Sequence, residues 1–133
     1  MDINRIFSVF TPIKTVEDTI DIDFLQHPGF KIGVFKKQIS YLPYFYKAML
    51  KQYGHGLNEE KKFALKEILK HQIFNKAYNY LYEIDPIVDR ENIEVYMDDE
   101  FYKALNYALD YFISEEKYEK CSFLKKFDKE FGS

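Results

Sequence analysis

Glu67 and His71 stand four residues apart, a spacing that puts both on one face of a helix, and His55 lies a little upstream. A carboxylate and an imidazole so placed can begin a metal site. A closed site takes three or four ligands, however, and neither a zinc-protease pair of histidines nor a Glu-x-x-His step is present. An exposed ion pair between Glu67 and His71 is the expected state. Asp98, Asp99 and Glu100, with Glu94, make a carboxylate cluster of the kind that holds magnesium, yet consecutive acids at a helix start are explained by capping and by the helix dipole. Glu115-Glu116-Lys117 contains the Glu-x-Lys fragment of one nuclease class without the upstream strand aspartate of that class. Cys121 sits beside Lys120 and Lys125, cations that lower a thiol pKa, but it also falls on an apolar stripe where cysteine behaves as a small hydrophobe. No Gly-rich dinucleotide loop, phosphate loop or Gly-x-Ser-x-Gly elbow occurs. These residues assign no catalytic group, metal or cofactor, and the expectation is a protein that is not an enzyme.

Binding residues are easier to find. Thirteen Phe and twelve Tyr make 19% of the chain, with no Trp. Tyr78, Tyr80 and Tyr82 alternate, and on a helix alternate positions point about 200° apart, so some of these rings must be exposed. Charge is segregated. Residues 47–82 hold seven lysines against three glutamates, whereas residues 83–119 hold twelve acids against three bases, inside a chain of net charge −3. Two surfaces follow from this. An acidic one, with Asp98, Asp99, Glu100, Glu115 and Glu116 beside Tyr107, Tyr111 and Tyr118, suits a protein partner with a basic surface. A lysine and tyrosine one, with Tyr44, Lys47, Lys51 and Lys76, suits nucleic acid as the alternative partner. Only Arg5 and Arg90 supply guanidinium groups, which disfavours base-edge reading of DNA.

The elements that must carry these residues are mainly helical. Residues 3–10 form a short apolar element, and residues 15–25 end in apolar–acidic alternation of period two, expected of a half-buried strand. His27-Pro28-Gly29 reads as a turn, and Phe30–Phe35 as the returning strand of a hairpin. Beyond Ser40, a capping residue with Pro43 in the first turn, the period becomes helical. Gly54-His55-Gly56 ends that helix, Asn58 caps a long one, and Asp85-Pro86 stops it. Residues 87–97 read as irregular or extended. Asp98 or Asp99 then caps a helix with a stripe through Phe101, Leu105, Ala108, Leu109 and Phe112. Ser114 breaks it and offers a second N-cap for a helix running to about Glu130, which makes an antiparallel helical hairpin.

The second helix of that hairpin resembles the UVR motif of the nucleotide-excision-repair proteins UvrB and UvrC and of some protease-associated adaptors. Of the family's Glu-acid-aromatic-Glu-x-Ala-Ala-x-Leu-Arg-Asp pattern, Tyr118, Glu119 and Leu124 match. Cys121 and Ser122 stand as small residues for the two alanines, Lys125 keeps the arginine's charge, and Lys126 reverses the aspartate. The resemblance covers about residues 99–130 and implies a module that binds a matching hairpin or another protein, with Tyr118 closing the turn by packing back on the first helix. It implies no catalytic activity.

The 133 residues suit one domain, with an N-terminal α/β part at about 1–37 and a helical part at about 40–131. The expected class is α+β, mainly helical, with a short hairpin or small sheet on about four helices. A single cysteine suits a reducing compartment, no apolar run reaches membrane length and no signal pattern opens the sequence, so a cytoplasmic protein is expected. The function expected is non-catalytic protein binding of inhibitor, immunity or adaptor type, with self-association through the hairpin as one form of it and nucleic-acid binding as the alternative.

Overall fold

His27-Pro28-Gly29 opens a helix instead of turning a hairpin. Pro28 occupies the first turn, where its fixed φ suits the helix and its missing N–H leaves no bond unmade, and the Gly29 amide donates to His27 Nδ1 at 2.9 Å. A computed structural model describes residues 22–128, and within them run seven α-helices, one 3-10 turn and no strand. These are α1 (Ile22–Gln26), α2 (Pro28–Ser40), α3 (Leu42–Tyr53), α4 (Glu59–Tyr82), α5 (Arg90–Ile93), the 3-10 turn Glu94–Tyr96, α6 (Asp99–Ser114) and α7 (Tyr118–Lys125).

The α+β class is therefore corrected: the described residues form helices and turns, with no strand, β-hairpin or sheet among them. Phe30–Phe35, expected as a strand, lies inside α2, whose buried residues Lys31, Ile32, Val34, Phe35, Gln38 and Ile39 recur at steps of three and four. Two polar side chains on the buried side, Lys31 and Gln38, disguise that period in the sequence. The end of the other expected strand is helical in α1, and its beginning, like the short element at 3–10, lies outside the described residues. Residues 87–97, expected as irregular or extended, wind into α5 and the 3-10 turn after Asp85 Oδ1 accepts the Ile87 and Val88 amides at 3.0 and 3.1 Å.

Caps were legible where a short polar side chain could reach back. Asn58 Oδ1 accepts from the Lys61 amide at 2.8 Å to start α4, and Asp98 Oδ1 from the Phe101 amide at 2.9 Å to start α6. Two others moved. Ser40, expected to cap α3, ends α2, and the Tyr41 backbone serves both helices: its amide donates to Lys37 O, and its carbonyl accepts from Tyr44 and Phe45. Ser114 ends α6 by donating to Tyr111 O at 2.6 Å, and the chain reverses through Glu116 at φ 58° into α7. That left-handed φ is strained for a residue with a Cβ.

Two apolar clusters hold the helices together. The larger joins α2, α4, α6 and α7 through fully buried Ile32, Phe35, Leu81, Phe101, Leu105, Phe112 and Leu124, with Phe127 just beyond α7, and burial of each such side chain contributes about 1.5–3 kcal/mol. The smaller packs Phe45 and Met49 of α3 against Leu65, Leu69 and Ile73 of α4. Leu42 touches both. α6 and α7 run antiparallel: Lys120 Nζ lies over the Phe112 ring, Cys121 Sγ donates to Leu109 O at 3.9 Å, and Phe127 meets Phe101 at 6.2 Å. Among the described residues no helix is long and apolar enough to cross a membrane.

Candidate functional site

A cleft of about 1030 Å³ opens between the α3–α4 layer and α6. Its base is Ile39 of α2 and Phe74 of α4, both buried. One wall is Leu42, Pro43, Tyr46 and Leu50 from α3 with Leu69 from α4; the facing wall is Ala104, Tyr107 and Tyr111 from α6. The α6 side is a second stripe of that helix. Glu100, Lys103, Tyr107, Asp110 and Ser114 recur at three and four residues beside the stripe that faces the core, so one helix serves both the core and the cleft.

The electrostatics of the rim are uneven. Lys47, Lys66, Lys70 and Lys103 line it with Glu100 and Asp110. Lys70 is engaged by Glu67 at 3.5 Å. Glu100 is engaged by Lys36 at 3.9 Å and by the Ser40 hydroxyl, which donates to it at 3.4 Å. Lys47, Lys66 and Lys103 make no ion pair among the described residues; Lys66 Nζ rests 5.5 Å above the Tyr46 ring. Three lysines without an ion pair thus face one carboxylate without one, Asp110.

Of the residues singled out in the sequence, the cleft gathers Tyr107, Tyr111, Glu100 and Lys47 and leaves the others apart. Tyr107 is 52% exposed at the mouth. Tyr111 is buried: its ring stacks on Phe74 at 4.5 Å and 9°, and its hydroxyl lies 3.3 Å from His71 Nδ1. Burial, with Glu115 and Glu67 adding, pushes its pKa up to about 12. His71 therefore faces Tyr111 and Glu67 holds Lys70, in place of the Glu67–His71 ion pair expected. Asp98 is occupied as the α6 cap and by Lys36 at 3.0 Å, and the Phe101 amide first, then Lys36, hold its carboxyl below the usual range. Asp99 stands exposed beside it. Glu115, Glu116 and Tyr118 cluster at the α6–α7 turn, where Tyr118 is 63% exposed. Tyr44, Lys47 and Lys51 share one exposed face of α3, while Lys76 is on α4, its pKa lowered by burial. Burial raises the Cys121 thiol against the smaller opposing effect of Lys125. Among the described residues no three His, Cys, Asp or Glu side chains gather as a metal site would need.

Comparison of the chain with family models, with curated proteins and with solved structures returned no match. Sequence reasoning passed over Lys66, Lys70, Lys103 and Asp110. The second stripe of α6 was a signal for the last two, but nothing local says that α3 and α4 stand opposite it.

Proposed function

We infer that this chain is a non-catalytic protein-binding domain, of inhibitor or adaptor type, that seats its partner in the cleft between α3, α4 and α6. The observation that supports this reading is the cleft itself. Leu42, Pro43 and Leu50 present aliphatic surface inside a polar rim, with the half-exposed Tyr107 at its mouth, the combination that binding sites for macromolecular anchors use. The exposed turn Glu115–Tyr118 follows directly on Ser114 at one end of the cleft and offers an adjoining contact to a basic group of the partner. Five of the twelve acids in 83–119 serve within the molecule: Glu83 on Lys31, Asp85 and Asp89 in the turn, and Asp98 and Glu100 on Lys36. The acidic segment is thus a smaller surface than its charge count implies.

The test is co-purification of the tagged, nuclease-treated protein beside Tyr107→Ala and Tyr118→Ala variants. A stoichiometric protein lost with Tyr107→Ala supports the cleft. One lost only with Tyr118→Ala moves the site to the turn. The exposed α3 face of Tyr44, Lys47 and Lys51 favours single-stranded nucleic acid as a second reading. It requires a salt-sensitive mobility shift that a Lys47→Glu, Lys51→Glu variant removes.

A further inference from the structure

The chemistry of the cleft goes further than the presence of a partner. Resting on the protein-binding reading above, we propose that the segment it receives is an acidic amphipathic helix, with apolar anchors on one face and Asp or Glu along the flanks.

Length and hydrogen bonding point to a helix. The α6 wall runs from Glu100 to Ser114, fourteen steps that at about 1.5 Å each span roughly 21 Å, or about four turns of a second helix laid beside it. An extended segment would bring unpaired backbone groups into the cleft. The two serine hydroxyls there are already engaged, Ser114 on Tyr111 O at 2.6 Å and Ser40 on Glu100 at 3.4 Å, and no sheet edge stands among the described residues for it to join. A helix satisfies its own backbone and needs only apolar surface, which both walls supply.

Charge decides the flanks. In a molecule of net charge −3, this rim presents three lysines that make no ion pair among the described residues, Lys47 on α3, Lys66 on α4 and Lys103 on α6, around one carboxylate without an ion pair, Asp110. Because they come from different helices on both sides of the cleft, they meet both flanks of an occupant. A basic helix would meet like charges on both sides. Nucleic acid fits the cleft less well, since two of its three tyrosine rings are already engaged, Tyr111 by Phe74 at 4.5 Å and Tyr46 by Lys66 at 5.5 Å.

The probe is a displayed library of helical peptides about four turns long with randomised faces, selected against the full chain. Enriched peptides are then measured on the wild type, on a Lys47→Glu, Lys66→Glu, Lys103→Glu variant, and on the cleft variants Tyr107→Asp and Leu50→Asp, with circular dichroism to show that each is folded. Tyr107 is exposed, so its variant stays informative if Leu50→Asp unfolds. The expected result is an apolar stripe at three- and four-residue spacing with Asp or Glu beside it, and affinity falling about tenfold or more in the lysine variant and with added salt. Peptides without acidic bias, indifferent to the lysine variant but lost with Tyr107→Asp, overturn the acidic-helix proposal and leave the docking reading standing. Peptides indifferent to every variant overturn both. Failure to enrich any peptide, with a co-purifying protein still lost in Tyr107→Ala, overturns the helix alone.

Discussion

Tyr111 shows how a residue chosen as a contact can be largely consumed by the fold. Its ring is stacked on Phe74, and its phenol, with a pKa raised from 10.0 to about 12, stays protonated well into alkali. The unfolded chain ionises first, so the native state holds more protons between these values; the stability from this group is intact below pH 10 and is lost as pH rises through about 12. Tyr111→Phe should change stability at pH 7 by no more than about 1 kcal/mol, since only a long contact to His71 is removed. It should also make the decline above pH 10 shallower, with a residue left by Tyr78 and Tyr102, whose pKa values are raised too. Urea denaturation at pH 7 and in alkali measures both. Gln38 is the opposite case: it is 4% exposed, and neither amide atom meets a hydrogen-bond partner among the described residues. Gln38→Met keeps the volume and removes the orphaned amide, so a gain of about 1–3 kcal/mol is expected in the same assay. Neither fate was legible in the sequence, because what buries these side chains comes from other helices.

At the scale of elements, local chemistry was readable and its ambiguities were specific. Asn58 is legible as a cap, and the α6 cap is narrowed to Asp98 or Asp99, of which the structure uses Asp98, because a cap is a contact across three residues. Asp98→Ala should cost about 0.5–2 kcal/mol, and Asp98→Asn less, because the amide keeps the cap and loses only the charge beside Lys36. The depressed carboxyl stabilises the fold above pH 3.8, and this is lost as pH falls through its lower folded value, so wild type and Asp98→Asn should converge in acid denaturation. α2 was misread as a strand, since a turn-like His27-Pro28-Gly29 and a Gly within Phe30–Phe35 outweighed a helical period interrupted by Lys31 and Gln38. Gly33 provides the check. A Cβ there meets nothing within 4 Å, so Gly33→Ala should stabilise the protein by about 0.5–1 kcal/mol by thermal unfolding, an outcome proper to a helix interior.

Across the whole molecule, α4 joins the two clusters and Leu42 packs against both. Leu42 is only partly buried, so Leu42→Ala should cost about 1–2 kcal/mol, at or below the low end for a core leucine, and separate the unfolding transitions seen by far-UV circular dichroism and by tyrosine fluorescence, as the α3 layer loosens before the larger core. That same layering creates the cleft, whose walls come from α3, α4 and α6. The sequence by itself determined the Asn58 cap and the stop at Asp85-Pro86, the long amphipathic α4 between them, the α6–α7 hairpin and the surplus of aromatic residues that guarantees exposed rings. All of these depend on contacts within one turn or on the period of one face. Only the tertiary structure decided that Phe30–Phe35 is helix and not strand, that Tyr111 is core while Tyr107 is surface, and that lysines from three helices ring one apolar groove. Burial and convergence are set by what a distant segment places opposite a residue, and that placement is a property of packing that no local window of sequence contains.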